Sequence, residues 1–169
     1  HAHFVNYGFS LQKVDLTGTT SWDEVIERVK TFVAANPEGW ITGRGWDQND
    51  WADKNFPDNI KLNELFPDRP VLITRIDGHA AIANQKVLDL AGVKAGDTLT
   101  GGEIEEMEGT LTGLLIDNAI DLVSSKIPAA TAEQFKKALQ AAEQNCFAVG
   151  LTTIDDCGLS ASAVEGIKK

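Results

Sequence analysis

The feature that most restricts the fold is the punctuation of residues 131–168. Thr131 stands as an N-cap before a helical run over 132–148, whose apolar face includes Phe135, Leu139, Ala142 and Phe147. Gly150 ends that run, LTTIDD at 151–156 reads as a strand, Gly158 turns the chain, and 160–168 reads as a further helix. Helix, short apolar strand, helix is the repeating unit of a parallel α/β layer, because parallel strands need a crossover that carries the chain back over the sheet.

The middle of the chain is less regular and reads as mixed α+β. LQKVDLT at 11–17 is a short strand. Ser21 and Glu24 form a capping box for a helix over 21–35, with Val25, Val29, Phe32 and Val33 at helical spacing and Asn36-Pro37-Glu38-Gly39 as the stop. A strand is expected at 40–46, a short helix at 61–66, and a strand at 71–78 that is apolar enough to be buried on both faces. A helix follows over Asn84 to Ala91, with Gly92 just past its end. Beyond it, a glycine-rich stretch reads as a loop and β-hairpin running into a helix around 114–125.

The 169 residues suffice for a real core, and no run of about 20 apolar residues encodes a membrane-spanning helix. The net charge of −10 argues against nucleic acid as a partner, since phosphate binding needs clustered Lys and Arg. Cys146 and Cys157 lack metal-ligand spacing and are expected as buried free thiols. With no initiating Met and no signal-peptide pattern, the chain is expected to be a mature form or an excised piece.

Four features can carry chemistry, and each has a plainer alternative. His1 and His3 are two of three histidines, spaced so that a strand would point both to one face, as a metal-gripping pair requires; the same letters fit a cloning remnant. Asp77 and His79 follow an apolar strand, where a scaffold offers side chains to a ligand; otherwise Asp77 fills a turn and His79 packs half-buried. Asp155 and Asp156 end another apolar run, and alternation lets at most one face a site; helix capping is the alternative. Trp46 and Trp51, with Trp40 and Trp22, would line an apolar pocket or form a small satellite core. The Gly43–Gly45 pair is too short for a nucleotide loop.

In order, HAHF, GWITGRGWDQNDW, PDRPVLITRIDGHAAIAN, GGEI with GTLTGLL, and GLTTIDDCG resemble the YtcJ-like branch of the amidohydrolase superfamily, over residues 1 to about 160. The resemblance implies an α/β fold: a metal-dependent hydrolase (β/α)₈ barrel carrying a mixed α+β insert. It implies that residues 1–9 end barrel strand 1 with the HxH motif, that 10–125 form the insert, and that 126–169 supply barrel helix 1, strand 2 and the start of helix 2. It further implies His1 and His3 as the first two ligands of a divalent metal, zinc foremost. Where many relatives carry His-Asp before the glycine turn, this chain has Asp155-Asp156.

The resulting expectation is part of an enzyme that hydrolyses a C–N bond of a small amide, formamide or cyclic amide with metal-activated water. His79, Asp77, Trp46, Trp51 and Asp156 would touch substrate. The isolated chain is expected to be inactive, because the remaining ligands and the general base belong to later barrel strands, and to self-associate into a homo-oligomer through uncovered apolar surface. The rival is a non-catalytic module that binds a sugar or peptide on its Trp-rich loop.

Overall fold

A computed structural model describes residues 2–168, apart from the side chain of Ser162. The chain divides into two compact units, His1–Lys13 with Pro128–Lys169, and Val14–Ile127.

The Val14–Ile127 unit is a mixed six-stranded sheet covered on both faces. Its strands are β1 (Val14–Asp15), β2 (Ile41–Trp46), β3 (Val71–Arg75), β4 (Ala80–Ala83), β5 (Gly102–Met107) and β6 (Thr110–Asp117), in spatial order β1-β2-β3-β4-β6-β5. β1, β2 and β3 run parallel, and the pairings from β3 onward are antiparallel. Alternation along the central strands splits the core in two. Val71 and Ile73 of β3, Ala80 and Ile82 of β4, and Leu114 of β6 pack with Val25, Ile26 and Val29 of helix α2 (Trp22–Ala35). Leu72, Ala81, Ala83 and Leu115 face the other way, onto Val87 and Leu88 of α4 (Gln85–Ala91) and Ala119 and Val123 of α5 (Asn118–Ser124). Fully burying residues such as Val25, Val29 and Leu88 stabilises the unit by about 1.5–3 kcal/mol each before the entropy of ordering is counted.

Helix α2 starts where its cap directs. The Ser21 hydroxyl accepts the Glu24 N–H at 3.2 Å, while the Glu24 carboxylate reaches back one residue further to the Thr20 N–H at 2.8 Å. A short helix α3 (Ile60–Leu65) buries Leu62 in the α2-side core. Asn84 ties several elements together from a fully buried position. Its Oδ1 accepts the N–H groups of Val71 at 3.0 Å and Val87 at 3.2 Å, and its Nδ2 donates to the carbonyls of Phe66 at 2.9 Å and Arg69 at 2.8 Å.

The other unit is helical. α1 (Phe4–Ser10) packs along α6 (Ala132–Ala148), close enough that a Cβ on Gly8 would lie 2.4 Å from the Ala138 carbonyl oxygen. Phe9 meets Phe135 edge to face at 5.8 Å, and the Asn145 amide donates to the Tyr7 hydroxyl at 2.8 Å. α6 carries a complete capping box between Thr131 and Gln134. In α7 (Ala161–Ile167), Gly166 lies against the Phe135 ring. A single parallel bridge joins Ala2 to Asp156, with the Ala2 N–H donating to the Asp155 carbonyl at 3.0 Å.

Several local expectations are corrected. Residues 4–10 form a helix, so the backbone is extended only around Ala2. The strand expected at 11–17 is two residues long. The strand expected at 71–78 ends at Arg75, and Ala80–Ala83 form a separate strand. The helix expected around 114–125 begins only at Asn118, because 110–117 pair with β4 and β5. Residues 151–156 contribute only the Asp156 bridge rather than a strand. Cys146 is buried as expected, whereas Cys157 is exposed.

Candidate functional site

One candidate site lies in the helical unit, around the Ala2–Asp156 bridge. His1 is outside the described residues. His3 occupies the N-cap position of α1, and its carbonyl accepts the Tyr7 N–H at 2.8 Å. Asp156, across the bridge, folds its carboxylate back so that Oδ1 accepts the Gly158 N–H at 3.0 Å. Gly158 also makes room for the imidazole, since a Cβ there would lie 3.2 Å from His3 Nδ1 and 3.7 Å from Asp156 Oδ1. The Gly158 N–H lowers the Asp156 pKa most; the Val5 and Phe4 amides and the neighbouring His3 push in the same direction, against the effect of desolvation. Its second oxygen, Oδ2, is buried and has no hydrogen-bond partner among the described residues. Asp156 therefore stays an acceptor beside an imidazole.

This donor set suits a divalent metal in part. His3 Nδ1 and Asp156 Oδ1 both border Gly158, a neutral imidazole nitrogen and a carboxylate oxygen are both common ligands of such an ion, and the buried, unpartnered Oδ2 leaves acceptor capacity on that carboxylate. Among the described residues no three His, Cys, Asp or Glu side chains converge on a common point.

The second candidate lies in the sheet unit, where β3 ends, β4 begins and β6 ends. Arg75 grips Asp77 with both ends of its guanidinium, Nε to Oδ1 at 3.0 Å and Nη2 to Oδ2 at 2.6 Å. This pairing, aided by the His79 N–H, lowers the Asp77 pKa to about 2 against the opposing effect of desolvation. Asp77 Oδ1 accepts that N–H at 3.0 Å across Gly78, whose φ of 84° needs a residue without Cβ. His79 leaves 70% of its side chain exposed, and its Nδ1 donates to Asp117 Oδ1 at 2.7 Å. The Asp117 N–H in turn donates to the His79 carbonyl at 3.1 Å. Asp117 sits at φ 49°, ψ −122°, a backbone state that side chains avoid, so the fold holds this carboxylate in place at some cost.

The tryptophans lie elsewhere in character. Trp46 is fully buried and Trp51 nearly so, with their Nε1 groups donating to the carbonyls of Ile73 at 3.2 Å and Thr19 at 2.9 Å. Trp46, Trp51 and Phe56 form a packed cluster, with Arg75 over the Phe56 ring at 5.5 Å. Trp51 retains an edge on a surface groove of about 560 Å³ shared with Trp22, Phe56 and Ile60. The structure thus brings Asp77 and His79 together, sets Asp156 beside His3, and places Trp46 in the core.

Sequence reasoning missed Asp117 and Arg75. Asp117 ends the apolar run TLTGLLID, the same strand-end signal that singles out Asp77, but it falls inside the helix expected from about residue 114, so its place at a strand end is hidden. Arg75 stands two residues from Asp77 on β3.

Comparison with known proteins decides the family. A model described as the amidohydrolase family matches residues 1–167. This chain belongs to the amidohydrolase family. It is 34% identical over 155 residues to the putative amidohydrolase YtcJ of Bacillus subtilis (strain 168), covering 90% of this chain and 29% of that protein. It is 35% identical over 161 residues to the protein LONG AFTER FAR-RED 3 of Arabidopsis thaliana, covering 94% and 27%. The chain thus spans under a third of the length of these relatives. Among solved structures, uncharacterized metal-dependent hydrolases from Pyrococcus horikoshii OT3 and Pyrococcus furiosus superpose with TM-scores of 0.71 and 0.70, at 27% and 26% identity. The superpositions cover 99% of this chain and 32% and 33% of those chains. The fold is accordingly a mixed α/β fold of the kind found in metal-dependent hydrolases.

Proposed function

We propose that the protein carrying this chain hydrolyses a C–N bond in a small amide, formamide or cyclic amide. The observation that carries the reading is His3 set beside the ionised, partly unpartnered carboxylate of Asp156, in a chain of the amidohydrolase family. His1 and His3 would hold a divalent cation, zinc foremost, whose chemistry is to acidify a bound water and polarise a carbonyl. The parallel Ala2–Asp156 bridge, with α6 as the crossover, supports assigning the helical unit to the first strand, first helix and second strand of a (β/α)₈ barrel, and the Val14–Ile127 unit to an insert.

The chain's own residues bind and orient. His79, with Nδ1–H committed to Asp117, turns Nε2 outward as a hydrogen-bond acceptor for a substrate N–H or O–H. Asp77, neutralised by Arg75, fixes the turn that carries His79. Trp51 offers only an edge, and Trp46 acts through packing.

The test uses the full-length protein, loaded with Zn²⁺ and offered a panel of N-substituted formamides, anilides and hydantoins. Turnover that disappears on chelation and in His3→Ala is expected. Turnover that survives metal removal, or none on any C–N substrate, would overturn the reading.

A further inference from the structure

The backbone at Asp117 is out of keeping with its residue type. At φ 49° and ψ −122° it lies outside the left-handed helical well that Asp and Asn tolerate. Elsewhere at this edge of the sheet the chain meets positive φ with glycine, at Gly78 (84°) and Gly101 (74°). Asp117 also stands at the N-cap of α5, where a carboxylate ordinarily folds back onto the first free amides of the helix, yet it makes no such bond. Its Oδ1 lies instead 2.7 Å from Nδ1 of His79. Arg75, whose guanidinium feels the Asp117 charge, is gripped at Nε and Nη2 by Asp77. The carboxylate thus serves neither the helix nor an arginine. The backbone pins the pair from below, with the Asp117 N–H donating to the His79 carbonyl at 3.1 Å and Ala80 pairing with Ile116 alongside. Strain of this kind persists only where the surrounding structure enforces it, and it concentrates where a side chain has a task.

We infer that Asp117 is a positioning residue for His79: its carboxylate holds the Nδ1–H tautomer, so that the exposed Nε2 selects amides that keep a hydrogen on nitrogen over N,N-disubstituted ones. This rests on the reading that His79 touches substrate, and it adds the group that sets what His79 recognises. A neutral imidazole has one donor and one acceptor nitrogen. With the donor fixed on Asp117, a carbonyl oxygen facing Nε2 meets a lone pair, whereas an amide N–H meets an acceptor. The substrate class narrows to primary and N-monosubstituted amides. Glycine at 117 would relieve the backbone, so an aspartate there trades stability for recognition.

Two variants of the full-length protein test it. Asp117→Gly removes the carboxylate and the strain together, and Asp117→Ala removes the carboxylate and keeps the strain. The first readout is the His79 tautomer, from long-range ¹H–¹⁵N NMR of histidine-labelled protein well above the ordinary imidazole pKa of about 6.5, with the signal assigned by its loss in His79→Gln. Wild type should show Nδ1–H, and both variants should lose that preference. The second is the melting temperature, where Asp117→Gly should match or exceed wild type and Asp117→Ala should fall below Asp117→Gly. The third is kcat/KM for an N-monosubstituted amide relative to its N-methylated analogue, a ratio expected to fall about 3- to 10-fold in both variants. An Nε2–H tautomer in wild type overturns the inference, as does an Nδ1–H preference that survives in Asp117→Gly or an unchanged substrate ratio. A purely structural role would lower the melting temperature of both variants and leave the tautomer alone. No turnover of either amide overturns the proposed reaction instead, and the tautomer then decides the role of Asp117 by itself.

Discussion

Asn84 provides the sharpest test of how the sheet unit is held together. It lies in the IDGHAAIAN segment that also carries Asp77 and His79, yet it is fully buried and makes four side-chain hydrogen bonds. Asn84→Ala removes all four at once. The Val87 N–H loses its cap at the start of α4, worth about 1 kcal/mol. The Val71 N–H becomes an unsatisfied donor in the core, at about 1–3 kcal/mol. The Phe66 and Arg69 carbonyls each lose a donor, adding roughly another 1 kcal/mol between them. The expected loss is about 4 kcal/mol, or about 10 °C or more in Tm for a chain of this size. All four tryptophans lie within Val14–Ile127, so urea unfolding followed by tryptophan fluorescence reads this unit selectively. Asn84→Asp retains the two acceptor contacts but aims a carboxylate at two carbonyls, and should also lose at least 2 kcal/mol or so. A loss under about 1 kcal/mol in Asn84→Ala would refute the reasoning, since it would mean the four bonds are replaced by water or by local relaxation.

Further outcomes follow from single geometries. The β5–β6 hairpin turns through Glu108 and Gly109, both at positive φ, so Glu108→Asn should stabilise the unit by about 0.5–1 kcal/mol in thermal unfolding. Gly113 has φ 86°, and a Cβ there would lie 2.4 Å from the Ala83 carbonyl oxygen; Gly113→Ala should cost about 3 kcal/mol in the same measurement. The Asp77 carboxyl titrates at about 2 in the folded chain against a reference of 3.8. Its contribution is therefore fully present above about pH 4 and is lost as pH falls toward 2. An acid-unfolding profile of Asp77→Asn should be flatter than wild type in that window and unchanged in shape above it.

The parts of the fold that were legible in sequence are those whose signals are local. α2 and α6 each combine a cap with a helical apolar stripe, so their type and ends could be read directly. β4 and β6 could not, because their runs AAIA and TLTGLLID are buried on both faces and show no alternation. Only their pairing partners distinguish such runs from helix. The 151–156 run shows the converse: it has strand composition, but among the described residues its pairing is limited to the Ala2 bridge. The candidate sites divide in the same way. Asp77 and His79 were visible as strand-end residues, whereas Asp117 lies 38 residues from His79 and meets it only through the Ala80–Ile116 register. The His3–Asp156 corner likewise depends on one long-range bridge. Trp46 and Trp51 are ambiguous in sequence because clustered aromatics read the same whether they line a pocket or fill a core, and here a carbonyl partner and packing put Trp46 in the core.

The most direct test of the account is the metal content of the full-length protein. Wild type and a His1→Ala, His3→Ala double variant would be stripped with chelator, reloaded with Zn²⁺, desalted and measured by atomic emission. Wild type should hold stoichiometric zinc, and a double variant that remains folded should lose it. Equal zinc in both proteins would contradict it.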